Sequence, residues 1–275
     1  MNDILLRIME KKREEVAALK KELSREEALE RAARLPPARD FTGALKGARP
    51  RGTGRRGAER QGGAGVNIIA EIKKRSPSKG AFDWHGDTPR QARAYAGGGA
   101  AAISVVTDGP FFGGDTGMLG LVREAVDIPV LQKDFLLEPW QVAFARSLGA
   151  DACLLIAACL PGDLLAEMLE ETRRVGIHAL VEVIDEEELA RAGKSGAIVI
   201  GVNNRDLKTF TIDPARTERL LPLYSDEQVA IAESGIHTPA DVDRLLAAGV
   251  DGFLIGEALM KAADPAAHLA LLRGA

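Results

Sequence analysis

The sequence predicts an α/β protein, a (β/α)8 TIM barrel with an N-terminal helical extension. Three observations predict it. From residue 66 onward, short apolar runs alternate with amphipathic stretches, and strands alternating with helices make parallel β/α units. There are eight such runs: VNIIAEI, AAISVVT, PVLQKDF, ACLLIA, HALVEVI, AIVIGVN, VAIAES and GFLIGEA. Eight units in roughly 200 residues close into a barrel. Several of the amphipathic stretches also run into Gly-Ala or Gly-Val, as at Gly149-Ala150 and Gly249-Val250, which is the glycine expected after a helix C-terminus. An open doubly wound sheet would require a glycine-rich nucleotide turn after its first strand, and "KKRSPSKG" does not supply G-x-G-x-x-G.

The elements follow in chain order. Ile4, Leu5, Ile8, Met9, Val16 and Leu19 are spaced for a helix over residues 3–22. Ser24 with Glu27 three residues on forms a capping box that opens a second helix through Ala33. Pro36 and Pro37 stop it. These helices precede any strand and read as an extension over one end of the domain. Residues 47–65 are rich in Arg and Gly with almost no apolar side chains, the composition of an exposed, partly disordered loop. An RNA-binding tract would interleave aromatics, and none occur there. The barrel then occupies residues 66–275, with helices expected at Pro89–Gly97, Gly117–Val126, Pro139–Leu148, Asp163–Val175, Glu186–Ala192, Ala215–Leu220, Pro239–Ala248 and from Asp264. At 275 residues the chain reads as one domain.

Composition narrows the function. Hydrophobic content of 46% and charged content of 28% are those of a soluble globular protein. A net charge of −4 argues against a general nucleic-acid surface. No apolar run is long enough to span a membrane, and the N-terminus is charged throughout, without a signal-peptide core. The two cysteines, Cys153 and Cys159, make no disulfide framework, and Cys153 sits in an apolar run as a small core residue. A cytoplasmic setting is expected, and a monomer is compatible with the sequence. The four histidines are scattered, so no metal site is expected.

Charge placement is the stronger functional signal. Catalytic groups of such barrels sit at the C-terminal ends of the strands. The first strand ends in Glu71 and Lys73, which share one face because side chains alternate along a strand; Lys74 points the other way. The third strand ends in Lys133-Asp134, the fifth in Glu182, the sixth in Asn203-Asn204-Arg205-Asp206, the seventh in Glu233-Ser234-Gly235 and the eighth in Gly256-Glu257. One such charge is ordinary solvent contact, but six at one end indicate a shared site. Turns after strands seven and eight are where these barrels receive phosphate on backbone N–H groups. A small phosphorylated substrate handled by lysines and carboxylates follows.

The motifs IAEIKKRSPSKG, ISVVTDGPFFGG, LQKDF, LVEV, GVNNRDLKTF, AESGIHTP and LIGEALM together resemble the indole-3-glycerol phosphate synthase family of tryptophan biosynthesis, in its order and spacing and over nearly the whole chain. The resemblance implies closure of 1-(2-carboxyphenylamino)-1-deoxyribulose 5-phosphate to indole-3-glycerol phosphate, with loss of carbon dioxide and water and no cofactor. It implies Lys133 as general acid at the ketone oxygen and Lys73 as a second lysine contacting substrate and phosphate. Glu182 and Glu71 would be carboxylates acting as base and lysine orienter, and Asn203 and Arg205 would hold substrate and the Lys/Glu network. Ser234, Gly235, Gly256 and the backbone of Glu257 would form the phosphate cradle. Ser76 matches the serine of the first-strand loop, and Phe112, Leu131 and Phe135 match groups packing on the aromatic ring.

The chain departs from the family pattern where serine often follows the glycine of strand eight. A carboxylate at Glu257 would repel phosphate, so its side chain is expected to turn away. Trp84 and His85 read as surface or loop residues, and Trp140 as a packing residue. Phosphoribosylanthranilate isomerase, another phosphate-binding barrel, would need a Cys/Asp pair at the ends of strands one and five, and none is there. A catalytically dead scaffold would not need the set Glu71, Lys73, Lys133, Glu182 and Asn203.

Overall fold

The computed structural model describes residues 4–46, 66–76, 80–82, 87–206 and 211–274. Its centre is a closed barrel of parallel strands: β1 (Asn67–Ile72), β2 (Ala102–Val106), β3 (Val130–Lys133), β4 (Ala152–Ile156), β5 (His178–Val183), β6 (Val199–Asn203), β7 (Val229–Glu233) and β8 (Gly252–Ile255). Each strand pairs with its sequence neighbours, and β8 closes on β1 from Asn67↔Gly252 to Ala70↔Ile255. The eight apolar runs of the sequence are these eight strands.

Alternation along the strands sorts the core into two layers. Ile68, Ala70 and Ile72 face outward and pack under the helices. Ile69 faces inward, in a cluster with Leu131, Leu154, Leu180, Ile231 and Leu254. Glu71 has the parity of Ile69, so it ends the inward row at the barrel mouth, where it is buried.

The outer helices are α4 (Thr88–Gly97), α6 (Gly117–Ala125), α7 (Pro139–Ser147), α8 (Leu164–Val175), α9 (Glu186–Lys194), α10 (Arg216–Leu220), α11 (Pro239–Ala248) and α13 (Pro265–Leu272). All fall within two residues of the expected bounds. Sequence periodicity did not reveal the short helices α5 (Gly109–Phe112) and α12 (Glu257–Met260), nor the two-residue pairing of Arg75–Ser76 with Gly80–Ala81. Such pieces are too short to show a period.

The extension comprises α1 (Ile4–Glu22), α2 (Arg25–Ala33) and α3 (Phe41–Leu45). The capping box is present: the Glu27 amide donates to Ser24 Oγ at 3.1 Å, and the Ser24 amide donates to Glu27 Oε2 at 2.8 Å. The extension reaches both ends of the barrel, not one. α1 runs along the C-terminal rim, with Leu5 and Ile8 joining the inner cluster. α3 lies at the strand starts, where Asn67 Nδ2 donates to the Leu45 carbonyl at 3.0 Å and Thr42 Oγ1 meets His178 Nδ1 at 2.9 Å. Trp140 packs as expected: its ring stacks on Phe144 with centroids 4.9 Å apart, and its Nε1–H donates to the Leu23 carbonyl. Cys153 is fully buried, and burial pushes its thiol up to about 12. The Arg/Gly tract, Trp84 and His85 lie outside the described residues.

Candidate active site

The C-terminal ends of the strands converge on one cleft. It is lined by every residue that the sequence singled out as catalytic or binding, except Leu131. Leu131 stands lower in β3 and is fully buried in the inner cluster. Leu154 and Ile156 of the adjacent β4 line the cleft instead. The strand tilt of a barrel brings neighbouring strands to different heights, and that offset cannot be read within one strand.

Lys133 Nζ sits among three carboxylates: Glu233 Oε2 at 3.1 Å, Glu182 Oε2 at 3.6 Å and Glu71 Oε2 at 3.8 Å. Lys73 Nζ pairs with the other Glu71 oxygen at 2.6 Å. Burial would lower the Lys133 pKa, but Glu233, Glu182 and Glu71 outweigh it and raise it. Burial alone would raise the Glu71 carboxyl, and Lys73 and Lys133 pull it below the ordinary carboxylate value. Glu233 moves the opposite way. Burial, with help from Glu182 and Glu71 and against the pull of Lys133, lifts its pKa to about 7.

Glu233 was visible in the sequence as a strand-end charge, yet it was not among the residues singled out as catalytic. The signal was parity: Val229, Ile231 and Glu233 share the inward face of β7. Two glycines make room for the acids. A methyl group on Gly201 would collide with the Glu233 carboxylate, and one on Gly256 with that of Glu71. The second oxygens of Glu182 and Glu233 are buried without a hydrogen-bond partner among the described residues, and that of Glu233 is the atom packed over Gly201.

The flanks differ in character. On one side are Phe112 and Phe135, whose ring centroids lie 6.1 Å apart at a tilt of 37°. On the other, Ser234 and Gly235 are both left-handed, with φ of 64° and 74°, and Asn204 Nδ2 donates to the Ser234 carbonyl at 3.1 Å. Asn203 Oδ1 accepts from the Arg205 amide at 2.9 Å and so shapes the turn after β6. Glu257, whose side chain was expected to turn away through repulsion from phosphate, lines the cleft wall with its two oxygens taken up by cations. Its Oε1 pairs with Lys261 at 2.7 Å and its Oε2 with Arg205 at 3.7 Å.

A closed parallel barrel with lysines, carboxylates and an aromatic pair at its C-terminal mouth defines a barrel enzyme equipped for proton transfer on a small ligand. Sequence comparison makes this particular. Residues 5–272 match the model of the indole-3-glycerol phosphate synthase family, and the chain belongs to that family, whose members are carboxy-lyases. It is 46% identical to the indole-3-glycerol phosphate synthase of Syntrophobacter fumaroxidans over 275 residues, covering 100% of this chain and 99% of that one. It is 45% identical to that of Kineococcus radiotolerans over 265 residues, covering 96% and 91%. Among solved structures, thiamine phosphate pyrophosphorylase from Pyrococcus furiosus superposes with a TM-score of 0.58 at 19% identity, covering 76% of this chain and 94% of that one. That likeness is one of fold alone.

Proposed function

We propose that this cleft closes the pyrrole ring of 1-(2-carboxyphenylamino)-1-deoxyribulose 5-phosphate, releasing carbon dioxide and water to give indole-3-glycerol phosphate. The observation that carries this reading is the Lys133 ammonium held by Glu233, Glu182 and Glu71 beside a pair of phenyl rings.

The chemistry requires that arrangement. When the aromatic carbon attacks the ketone, negative charge grows on the ketone oxygen, and a positioned ammonium can supply the proton. Lys133 takes that role. Loss of the carboxyl carbon dioxide then restores the ring. Departure of the hydroxyl as water needs an acid at oxygen and a base for the ring proton. Lys73 with Glu71 and Glu182 supply them, and Asn203 and Arg205 hold the substrate chain. Each positioned proton transfer contributes about 10²- to 10⁴-fold, and confining ring and ketone in contact lowers the barrier further. With Glu233 titrating at about 7, the protons belong to the cluster as a whole.

Phe112 and Phe135 would pack on the substrate ring. The phosphate would lie on the backbone of Ser234, Gly235, Gly256 and Glu257, with Lys73 and the Ser234 hydroxyl nearby and Ser76 at the entrance. One site for one small substrate, within a single domain and without a nucleic-acid partner, is the reading that fits. The test is direct: purified protein mixed with the carboxyphenylamino substrate should develop indole fluorescence. A folded protein that forms no product would overturn the reading.

A further inference from the structure

Lys12 lies on α1, outside the reacting cluster, yet it is 3% exposed. Its ammonium meets Asp134 Oδ1 at 2.7 Å, Glu15 Oε2 at 2.7 Å and Asp108 Oδ1 at 3.2 Å. Burying a lysine is costly unless its charge is paired, and the two aspartates that pair it belong to the loops after β2 and β3. Asp108 Oδ2 accepts from the amides of Phe111 and Phe112 at 2.9 and 3.1 Å, so it starts the turn that presents Phe112. Asp134 Oδ1 accepts from the Phe135 amide at 2.7 Å, and its Oδ2 accepts from Thr107 Oγ1 at 2.6 Å. Thr107 in turn donates its amide to the Lys133 carbonyl at 3.1 Å. One ammonium therefore ties together the backbone of both phenylalanines and the residue next to Lys133.

We propose that Lys12 is a positioning residue: by clamping Asp108 to Asp134 it sets the separation of Phe112 and Phe135, so that the N-terminal helix fixes the width of the slot for the substrate's aromatic ring. The slot itself rests on the function proposed above. Lys12 touches no substrate in this scheme and acts through the two aspartates. Without it, two buried carboxylates that share one cation lose it, and their like charges repel. The rings they carry would separate with them. A ring held loosely binds more weakly, while Lys133 and its carboxylates keep their places and the chemical step is little changed.

The test uses the full chain with Lys12→Met, Lys12→Arg and Glu15→Gln, each checked for folding by circular dichroism. Two quantities are read: KM and kcat for the carboxyphenylamino substrate, and native-state hydrogen exchange at the amides of Phe111, Phe112 and Phe135. Lys12→Met should raise KM about tenfold with kcat changed less than about threefold. The three amides should exchange faster while those of β5 and β6 keep their protection. Glu15→Gln should resemble the parent protein, because Glu15 is half-buried and holds neither loop. An unchanged KM, or an exchange increase spread evenly over the barrel, would overturn the proposal, since a purely structural lysine would loosen everything alike. If Lys12→Met does not fold, Lys12→Arg decides in the same way. A planar guanidinium cannot meet three carboxylates in the geometry of an ammonium, so a selective rise in exchange and in KM is expected there too. Exchange is read without turnover. A parent protein that forms no product therefore defeats the function and leaves the clamp to be judged on the amides alone.

Discussion

The Glu233 carboxylate occupies the space where a side chain on Gly201 would stand. The two residues are on adjacent strands, β6 and β7, and the bare glycine lets the acid fold back toward Lys133 at 3.1 Å. Gly201→Ala should therefore displace Glu233, with little effect elsewhere. Turnover should drop at least tenfold while circular dichroism stays unchanged, since a displaced carboxylate no longer supports the ammonium. Parent-like kcat in this variant would show that Glu233 has no part in the reaction.

Lys133→Ala tests the acid. The lysine sits at a strand end, above the packed layers, so the barrel should remain folded. Loss of one positioned proton transfer costs about 10²- to 10⁴-fold in kcat, read by indole fluorescence in steady state. Full turnover would remove Lys133 from the mechanism.

The pH dependence of stability should carry the mark of Glu233. Its carboxyl is raised from an ordinary value of 4.5 to about 7. Between those values the native protein keeps a proton that the unfolded chain has released, so stability falls as pH rises through this window. Glu188, raised mainly by burial to about 7, adds to the same slope. Glu71, held low by Lys73 and Lys133, acts oppositely, and its contribution is lost as pH falls. Glu233→Gln removes one proton-linked group, so the decrease in Tm from pH 5 to pH 8 should be smaller in the variant. An identical pH profile would contradict the assignment.

At Glu257 a carboxylate stands beside the proposed phosphate cradle, with Lys261 and Arg205 bound to it. Glu257→Ser should remove the repulsion and one carboxylate partner from each cation. Inhibition by inorganic phosphate should tighten, by about three- to tenfold for a change of roughly 1 kcal/mol. Weaker inhibition would mean that Glu257 helps to place Arg205 for the anion.

Deleting residues 50–64 should leave kcat/KM unchanged. The flanking residues Leu45 and Asn67 meet at the foot of β1, at the barrel end away from the cleft. A large fall in activity or Tm would give the tract a role that its composition does not announce.

Much of the site was legible because a strand has a period of two. Ile69, Glu71 and Lys73 declare one inward row, and the same parity runs through Ile231 and Glu233. Glu257 shows where such reading stops. Charge repulsion argued that it would turn from the cleft, but repulsion alone could not say that Arg205, distant in sequence, and Lys261 would take its two oxygens. Leu131 illustrates the same limit, since its height in the barrel depends on the stagger of its neighbours. The resemblance to a family named roles for residues, but not their separations.

The sequence by itself determined the eight-unit barrel, the inward face of each strand and the end at which charges gather, because these follow from local periodicity and connection. Only the tertiary structure decided that Lys133 would share three carboxylates, that glycines would vacate the space for two of them, and that Lys12 would reach across to Asp108 and Asp134. Those outcomes depend on which residues burial forces together from distant parts of the chain, and a buried charge is tolerated only where its partners happen to meet it.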